Sequence, residues 1–447
     1  MERVAELLDP HSETFSYRQA LVRLWRLASD DQRLNQWEQL GDEKSTVHHV
    51  GDLLNKLQNE KSIGVEAVRA QPLALIRALD DYLASTRLPS SQSVAVSQSA
   101  YRFEEDGKSH WLVPVTLAAR RHAAMNRQSA RLARWFHHHA VLPGRTAHGI
   151  EVTCTLSRSD LHVCLEALAG QAHGKLKVWV AHFDDGADVV WNRTLSPVGN
   201  WRTQSVEPHS DRQASVVATL HRAASAGAHV VVFPEFTLDL LHKEQLRSQL
   251  RQFPSSVQMV VAGAFHAEEM TATAPATFNT APVLAGNGRL LFAHRKLRLF
   301  GSRDEGTEFA EVGNQLHVVV TPIGCMTVLI CKDFLDEDPR VDNLLAEVPV
   351  DWVWVPSYGD QTTLNLHKQR AKKLATVTTG TSCAVAQTQN TAMKKAGEQQ
   401  ALLPGFGHVA GQKNPCDVQT TGGLIEFGLG TQTPPTQPVR SKLKRVK

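Results

Sequence analysis

The sequence predicts an α/β fold preceded by a mostly helical N-terminal region, and three observations carry that prediction. After about residue 174 the chain contains short, valine-rich apolar runs, including KLKVWVAHF, HVVVFPEF, MVVAGAF and DWVWVPS. Continuous apolar runs of this length suit strands buried on both faces. Between the first two lies DRQASVVATLHRAASAGA, where Val216, Val217, Leu220 and Ala224 form a helical stripe and Gly227 is placed as a helix stop. Strand, helix, strand in succession is the signature of an α/β sheet. From about 16 to 136 the period is instead helical.

In that first part SYRQALVRLWRLA carries Leu21, Leu24 and Leu27 at helical spacing. QPLALIRALDDYLA carries a broader stripe of Leu73, Leu75, Ile76, Leu79 and Leu83. SSQSVAVSQS has loop composition, and YRFEEDGKSHWLVPV has the alternation and turn of a hairpin. Further strands are expected at RLLFAHRK, LHVVVTPI, MTVLIC and CAVAQTQ. The last residues, TQTPPTQPVRSKLKRVK, are proline-rich and then basic, a composition that favours disorder. The expected organisation is a mostly helical region over 1–173, the α/β domain over 174–430 and a flexible tail over 431–447.

Composition narrows the function classes. The chain has 447 residues, 42% hydrophobic and 21% charged, which is ordinary for a globular protein with two or three cores. A formal net charge of +3 excludes a strong polyelectrolyte, so nucleic-acid affinity would require a local patch. Six cysteines without a CxxC pair suggest free thiols in a reducing cytosol. MERVAELLDPHSETFSYRQ lacks the apolar segment of a secretory signal. No apolar run approaches the ~20 residues of a membrane span. The expectation is a cytoplasmic protein without a membrane segment.

Three strand ends carry reactive side chains. HVVVFPEF ends with Glu235 after Pro234, FAHRKLRLF places Lys296 between arginines, and MTVLIC ends at Cys331. Sites in open α/β sheets form beyond the carboxyl ends of strands, where these three can meet. A thiol becomes a strong nucleophile as the thiolate, which a neighbouring base or cation promotes. A carboxylate can take the thiol proton and later activate water, and an ammonium can stabilise a developing oxyanion. Taken singly, each has a plainer reading: core thiol, loop acid, solvated lysine.

Together the three resemble the signature of the nitrilase superfamily of carbon–nitrogen hydrolases. The matching segments are Phe233-Pro234-Glu235, Arg295-Lys296 and Ile330-Cys331, with Asp333 two residues further on. SRDEGTEFAEVG resembles the segment supplying a second glutamate, with Glu305 the best match and Glu308 and Glu311 its rivals. Gly324, DWVWVPSYG, HKQRAKKLATVTTGTSCAVAQTQN, GFGHVAG and GGLIEFGL follow in the family's order, so the resemblance covers about 174–430. Lys332, Thr327 and FLDEDPR depart from the usual pattern around the cysteine. The resemblance implies an α-β-β-α sandwich, often paired as a dimer across helices. It implies Glu235 as general base, Lys296 as stabiliser of the intermediate, Cys331 as nucleophile and Glu305 as the second carboxylate. It implies a small-molecule amide or nitrile substrate, the amide favoured, and no metal or organic cofactor.

Other signals are weaker. HFDDG, which invites comparison with paired polymerase aspartates, suits a turn after a strand. HHH at 137–139 with His148, Cys154, His162 and Cys164 matches no usual zinc spacing. Cys325 and Cys383 suit core positions, and Cys325, six before Cys331, would share its side of a continuous strand. Cys154, Cys164 and Cys416 lack a recognisable constellation. Along 117–136, Arg120, Arg127, Arg131 and Arg134 fall within about 60° of one another on a helical wheel. That basic face is fit for phosphates or an acidic partner, or is simply solvated. It supports an alternative function: a nitrilase-like sensor or scaffold, as in bacterial defence, whose N-terminal region binds nucleic acid or a protein.

Overall fold

The computed structural model describes residues 1–447 except 9–13, 41–42, 60–62, 86–101, 106, 115–135, 137, 158, 172, 184–188, 194–198, 253–254, 303–305, 336–343, 349, 376–380, 390–404, 411, 413, 419–421 and 430–447. The expected arginine face at 120–134, Glu305, the aspartates of HFDDG and the basic tail lie outside the described residues.

The leucine stripes form helices as expected: α1 (Glu2–Leu7), α2 (Thr14–Ala28), α3 (Asp31–Leu40), α4 (Glu43–Gln58), α5 (Val65–Ala70) and α6 (Pro72–Ser85). Leu21, Leu24, Leu75, Ile76 and Leu79 converge in one core. The expected hairpin is present as β1 (Arg102–Glu105) and β2 (Lys108–Pro114), with Gly107 at positive φ in its turn. β2 also pairs with β3 (His139–Pro143). Phe103, Leu112 and Val141 of this small sheet complete the helical core. Glu105 ties the two parts together: its buried carboxylate accepts from Arg23 Nε at 3.0 Å and Nη2 at 2.6 Å, and from Gln19 at 2.9 Å.

Two large sheets follow, packed face to face. The first runs in the order β10 (Phe265–Met270), β11 (Pro275–Ala285), β9 (Met259–Val261), β8 (Val230–Val232), β5 (Lys175–Val180), β21 (Gly423–Gly428), with β12 (Leu290–Arg295) also on β11. The second runs β20 (Cys416–Asp417), β19 (Gly405–His408), β18 (Ser382–Gln389), β17 (Trp352–Gly359), β16 (Gly324–Val328), β15 (Gln315–Thr321), β4 (Glu151–Leu156). Their centres are parallel, β5–β8–β9 in one and β16–β17–β18 in the other.

Alternate side chains of each strand then face different layers. Val178, Val230 and Val261 meet Met326, Trp352 and Trp354 between the sheets. Trp352 and Trp354 are fully buried there, and truncating either to alanine would cost about 3–5 kcal/mol. Val231 and Val260 face outward onto α8 (His209–Ser225) and α9 (Leu240–Gln252). Val353, Val355 and Val385 face outward onto α11 (Gln361–Lys373), which lies after the short α10 (Leu344–Glu347). The result is the expected α-β-β-α sandwich.

The boundary expected at 173 does not coincide with a packing boundary. β4 lies parallel to β15 through six paired residues, Gln315↔Glu151 to Val320↔Leu156. Leu161, Leu165 and Leu168 of α7 (Ser159–Gly170) enter the inter-sheet core. The alternation in EVTCTL, which buries Val152 and Cys154, is the local cause. The histidine run is likewise structural: His139 is buried with Nδ1 2.8 Å from Asp80 Oδ1 on α6.

Candidate active site

The site is built where the carboxyl ends of the two sheets meet. β8 runs into Pro234, and Phe236 adopts φ 57°, a left-handed turn that closes the loop immediately behind Glu235. The loop fits only against a glycine, since a Cβ at Gly263 would lie 2.4 Å from the Pro234 carbonyl oxygen. Glu235 is then stitched to the opposite sheet. Its N–H donates to Ser357 O at 3.2 Å, and its carbonyl accepts from Thr388 Oγ1 at 3.0 Å.

Lys296 follows β12, and Glu308 ends β14 (Gly306–Glu308), which pairs with the short β13 (Gly301–Ser302). Lys296 Nζ donates to Glu235 Oε1 at 2.8 Å and to Glu308 Oε2 at 3.0 Å, and all three side chains are buried. Asn279 on β11 spans the two acids, donating to Glu235 Oε1 at 2.8 Å and Glu308 Oε1 at 2.6 Å. Glu308 also accepts from the Phe300 N–H at 2.8 Å and faces His266 Nε2 at 3.1 Å. Because Thr203 N–H donates to His266 Nδ1, the ring proton sits on Nε2 and points at Glu308. Among the rivals for the second carboxylate, Glu308 is therefore the one in contact with Lys296; Glu311 instead bridges to Phe278.

Cys331 departs from one sequence expectation. β16 ends at Val328, and Cys331 opens a short 3-10 turn, Cys331–Phe334, with φ 45°. The strand does not continue from Cys325 to Cys331, so the two thiols do not share a side. Cys325 packs in the outer core and Cys331 in the inter-sheet core. Cys331 Sγ lies 3.7 Å from the Tyr358 carbonyl oxygen. His367 on α11 holds the turn, with Nε2 3.2 Å from the Cys331 carbonyl. Burial keeps the His367 imidazole neutral by lowering its pKa to about 4.

Asp333 joins this turn to the lysine segment. Its carboxylate accepts from the N–H groups of Leu297 at 3.0 Å, Arg298 at 2.8 Å and Ile330 at 3.2 Å. Lys332, the unusual neighbour of Cys331, places its ammonium 4.7 Å from the Phe300 ring centroid, a cation–π contact.

The electrostatics follow from burying three charges together. Burial pushes the Glu235 carboxyl up, with Glu308 adding to the shift and Lys296 opposing it. Burial also pushes Glu308 up, but Lys296, His266 and the Phe300 N–H outweigh it and hold the acid at about 2. For Lys296 the loss of water is outweighed by the two carboxylates, which raise its pKa and fix it as the ammonium. Burial and Glu235 push the Cys331 thiol up to about 12, while Lys296 and Ser357 pull the other way. The Cys331 thiol is thus held neutral, and the Glu235 carboxylate is a stronger base than an exposed one.

Residues 177–343, which contain all of these groups except Ser357, Tyr358, His367 and Thr388, match the family model described as carbon-nitrogen hydrolase. This segment is a carbon–nitrogen hydrolase domain. An amidase from Nesterenkonia sp. is similar in structure, with 18% identity and TM-score 0.37, over 57% of this chain and 90% of that one. Saccharomyces cerevisiae Nit3, a member of branch 10 of the nitrilase superfamily, is similar at 16% identity and TM-score 0.40, over 60% of this chain and 97% of that one. No curated protein matches. Among the described residues of the chain, no helix is long and apolar enough to cross a membrane.

Sequence reasoning on the hydrolase domain did not single out Asn279, His266, Ser357 or His367. Asn279 had a detectable signal, as the lone amide among the buried positions of β11. His367 also had one, as a polar member of the Leu364, His367, Ala371 stripe.

Proposed function

We propose that the protein hydrolyses a small-molecule amide through a Cys331 thioester. The observation that supports this reading best is the buried contact of Lys296 with both Glu235 and Glu308, with Cys331 close enough for Glu235 and Lys296 to shift its pKa. Glu235 takes the Cys331 proton as Sγ bonds to the carbonyl carbon. The Lys296 ammonium stabilises the charge that develops. Protonated Glu235 returns its proton to the leaving nitrogen, the C–N bond breaks, and ammonia or an amine departs. Water then attacks the thioester as Glu235 takes its proton; the C–S bond breaks and Cys331 recovers the thiol with release of the acid. Glu308 and Asn279 hold Glu235 and Lys296 in register for both halves.

The surroundings favour an apolar acyl group. Trp191 and Trp201, from the hairpin β6 (Val189–Arg193) and β7 (Asn200–Val206), pack on Phe236, the residue after Glu235, at 5.5 and 6.0 Å. Phe236 also meets Tyr358 at 5.5 Å, whose carbonyl faces the thiol. The test is ammonia release from a panel of aliphatic and aromatic amides. Activity that vanishes in Cys331→Ala and in Glu235→Gln supports the reading. Activity retained in both variants would sink it.

A second reading, an N-terminal region that takes an anionic partner, is favoured by one observation. A cavity of about 690 Å³ there is lined by Arg23, Arg26, Arg33 and Arg69 with Glu2 and Asp30. Salt-sensitive binding of a polyanion, lost on Arg33→Glu, supports it; unchanged binding in that variant counts against it.

A further inference from the structure

Four residues beyond Glu235 the same loop gathers a second polar cluster. Asp239 caps α9, its Oδ1 accepting from His242 N at 3.0 Å, and its Oδ2 accepts from Val206 N at 3.1 Å. The carboxylate also faces two imidazoles: His209 Nε2 lies 2.9 Å from Oδ2, and His242 Nδ1 lies 2.8 Å from Oδ1. One donor atom from each of the three residues lies within 4.8 Å of the others.

His242 makes the cluster unusual. Its side chain is fully buried, and its Nε2 faces the His209 carbonyl oxygen at 3.2 Å. A carbonyl only accepts, so the ring proton belongs on Nε2. Nδ1 is left with a lone pair, shielded from water and without an aligned hydrogen bond, directed at a carboxylate. With the imidazole neutral, two acceptors face each other across a dry gap, and a cation between them relieves the repulsion.

We propose that His209, Asp239 and His242 bind a divalent transition metal of the zinc class. Two imidazole nitrogens and one carboxylate are a donor set that suits such ions. Ligand bonds of about 2.0–2.2 Å would open the present N···O contacts by only a few tenths of an ångström. His209, whose side chain is 38% exposed, leaves the fourth position toward solvent and water. The bound ion would pin the starts of α8 and α9 to the loop that carries Glu235, so it would stiffen the catalytic loop without touching the reacting atoms.

The test is titration of the chelator-treated full chain with Co²⁺, followed by visible d–d absorption. The expected result is saturable binding of one equivalent, reversed by Zn²⁺ or by chelator. His209→Ala should weaken it by about tenfold or more with an unchanged far-UV spectrum. Asp239→Asn, which keeps a capping oxygen for α9, should weaken it likewise. Absence of saturable binding in the wild-type chain would overturn the site. So would binding that survives both substitutions, since the metal would then lie elsewhere.

Discussion

Lys296 and Glu235 form a buried ion pair: Nζ lies 2.8 Å from Oε1, and each side chain is at most 2% exposed. The same ammonium holds Glu308 at 3.0 Å, so one cation neutralises two acids. Removing it strands carboxylates in a dry site. Lys296→Ala should cost about 3–5 kcal/mol in urea unfolding and abolish turnover. A loss under ~1 kcal/mol would mean that water reaches the cluster.

Burial and the neighbouring carboxylate set the pH dependence. On the proposed mechanism Glu235 acts as a base only when ionised, and its pKa is raised above the ordinary 4.5 by burial and by Glu308. The acid limb of kcat/KM should therefore fall above pH 4.5. In Glu308→Gln the like charge is gone, ionisation of Glu235 becomes easier, and any residual activity should show its acid limb at lower pH. A limb that stays put would remove Glu308 from the electrostatics of the base.

Stability responds to the same pair with opposite signs. Glu308 is held down at about 2, so its contribution is complete above the unfolded value of 4.5 and is lost as pH falls from 4.5 toward 2. Glu235, with a raised pKa, opposes folding above its own titration. Wild-type unfolding free energy should drop across pH 4.5 to 2, and Glu308→Gln should flatten that drop. An equally steep drop in the variant would assign acid sensitivity to other groups.

Cys331 should depend on its partners for reactivity. Its thiol is pushed up to about 12, so on the proposed mechanism alkylation by iodoacetamide draws on Glu235 to take the proton. Peptide mapping should find Cys331 labelled in the native chain and labelled more slowly in Glu235→Gln. Cys416, which is exposed, serves as the reference thiol. Equal rates in both proteins would argue that Glu235 is not the base.

The sandwich was legible because strands buried on both faces leave uninterrupted apolar runs, as in HVVV and WVWV, and because KLKVWV alternates as a strand with one face in the core; all three formed central strands. The placement of Glu235 and Cys331 was legible because each follows such a run, and that of Lys296 because it directly follows a strand. Other features carried little local signal. β4 was missed because EVTCTL is short and its partner β15 lies far along the chain. The turn at Cys331 was missed because apolar Leu329 and Ile330 continue the strand pattern, whereas the bend is imposed by Asp333 bonds to Ile330, Leu297 and Arg298. Asn279 and His266 enter the site only through the pairing of β10 with β11, where they are direct partners.

Asp333 yields the last prediction. It is 3% exposed, contacts His294 at 3.2 Å and accepts from three backbone N–H groups on two separate segments. Those segments carry Lys296 and Cys331, so buried Asp333 ties the lysine segment to the cysteine turn. Asp333→Ala would leave buried donors unpaired and should cost about 3 kcal/mol or more. Asp333→Asn keeps one acceptor oxygen and should recover part of that stability. A positioning role predicts that kcat in the Asn variant falls more than KM rises, with the Cys331 labelling rate reduced in parallel. A variant with unchanged kcat and labelling would show that the turn holds its geometry without this carboxylate.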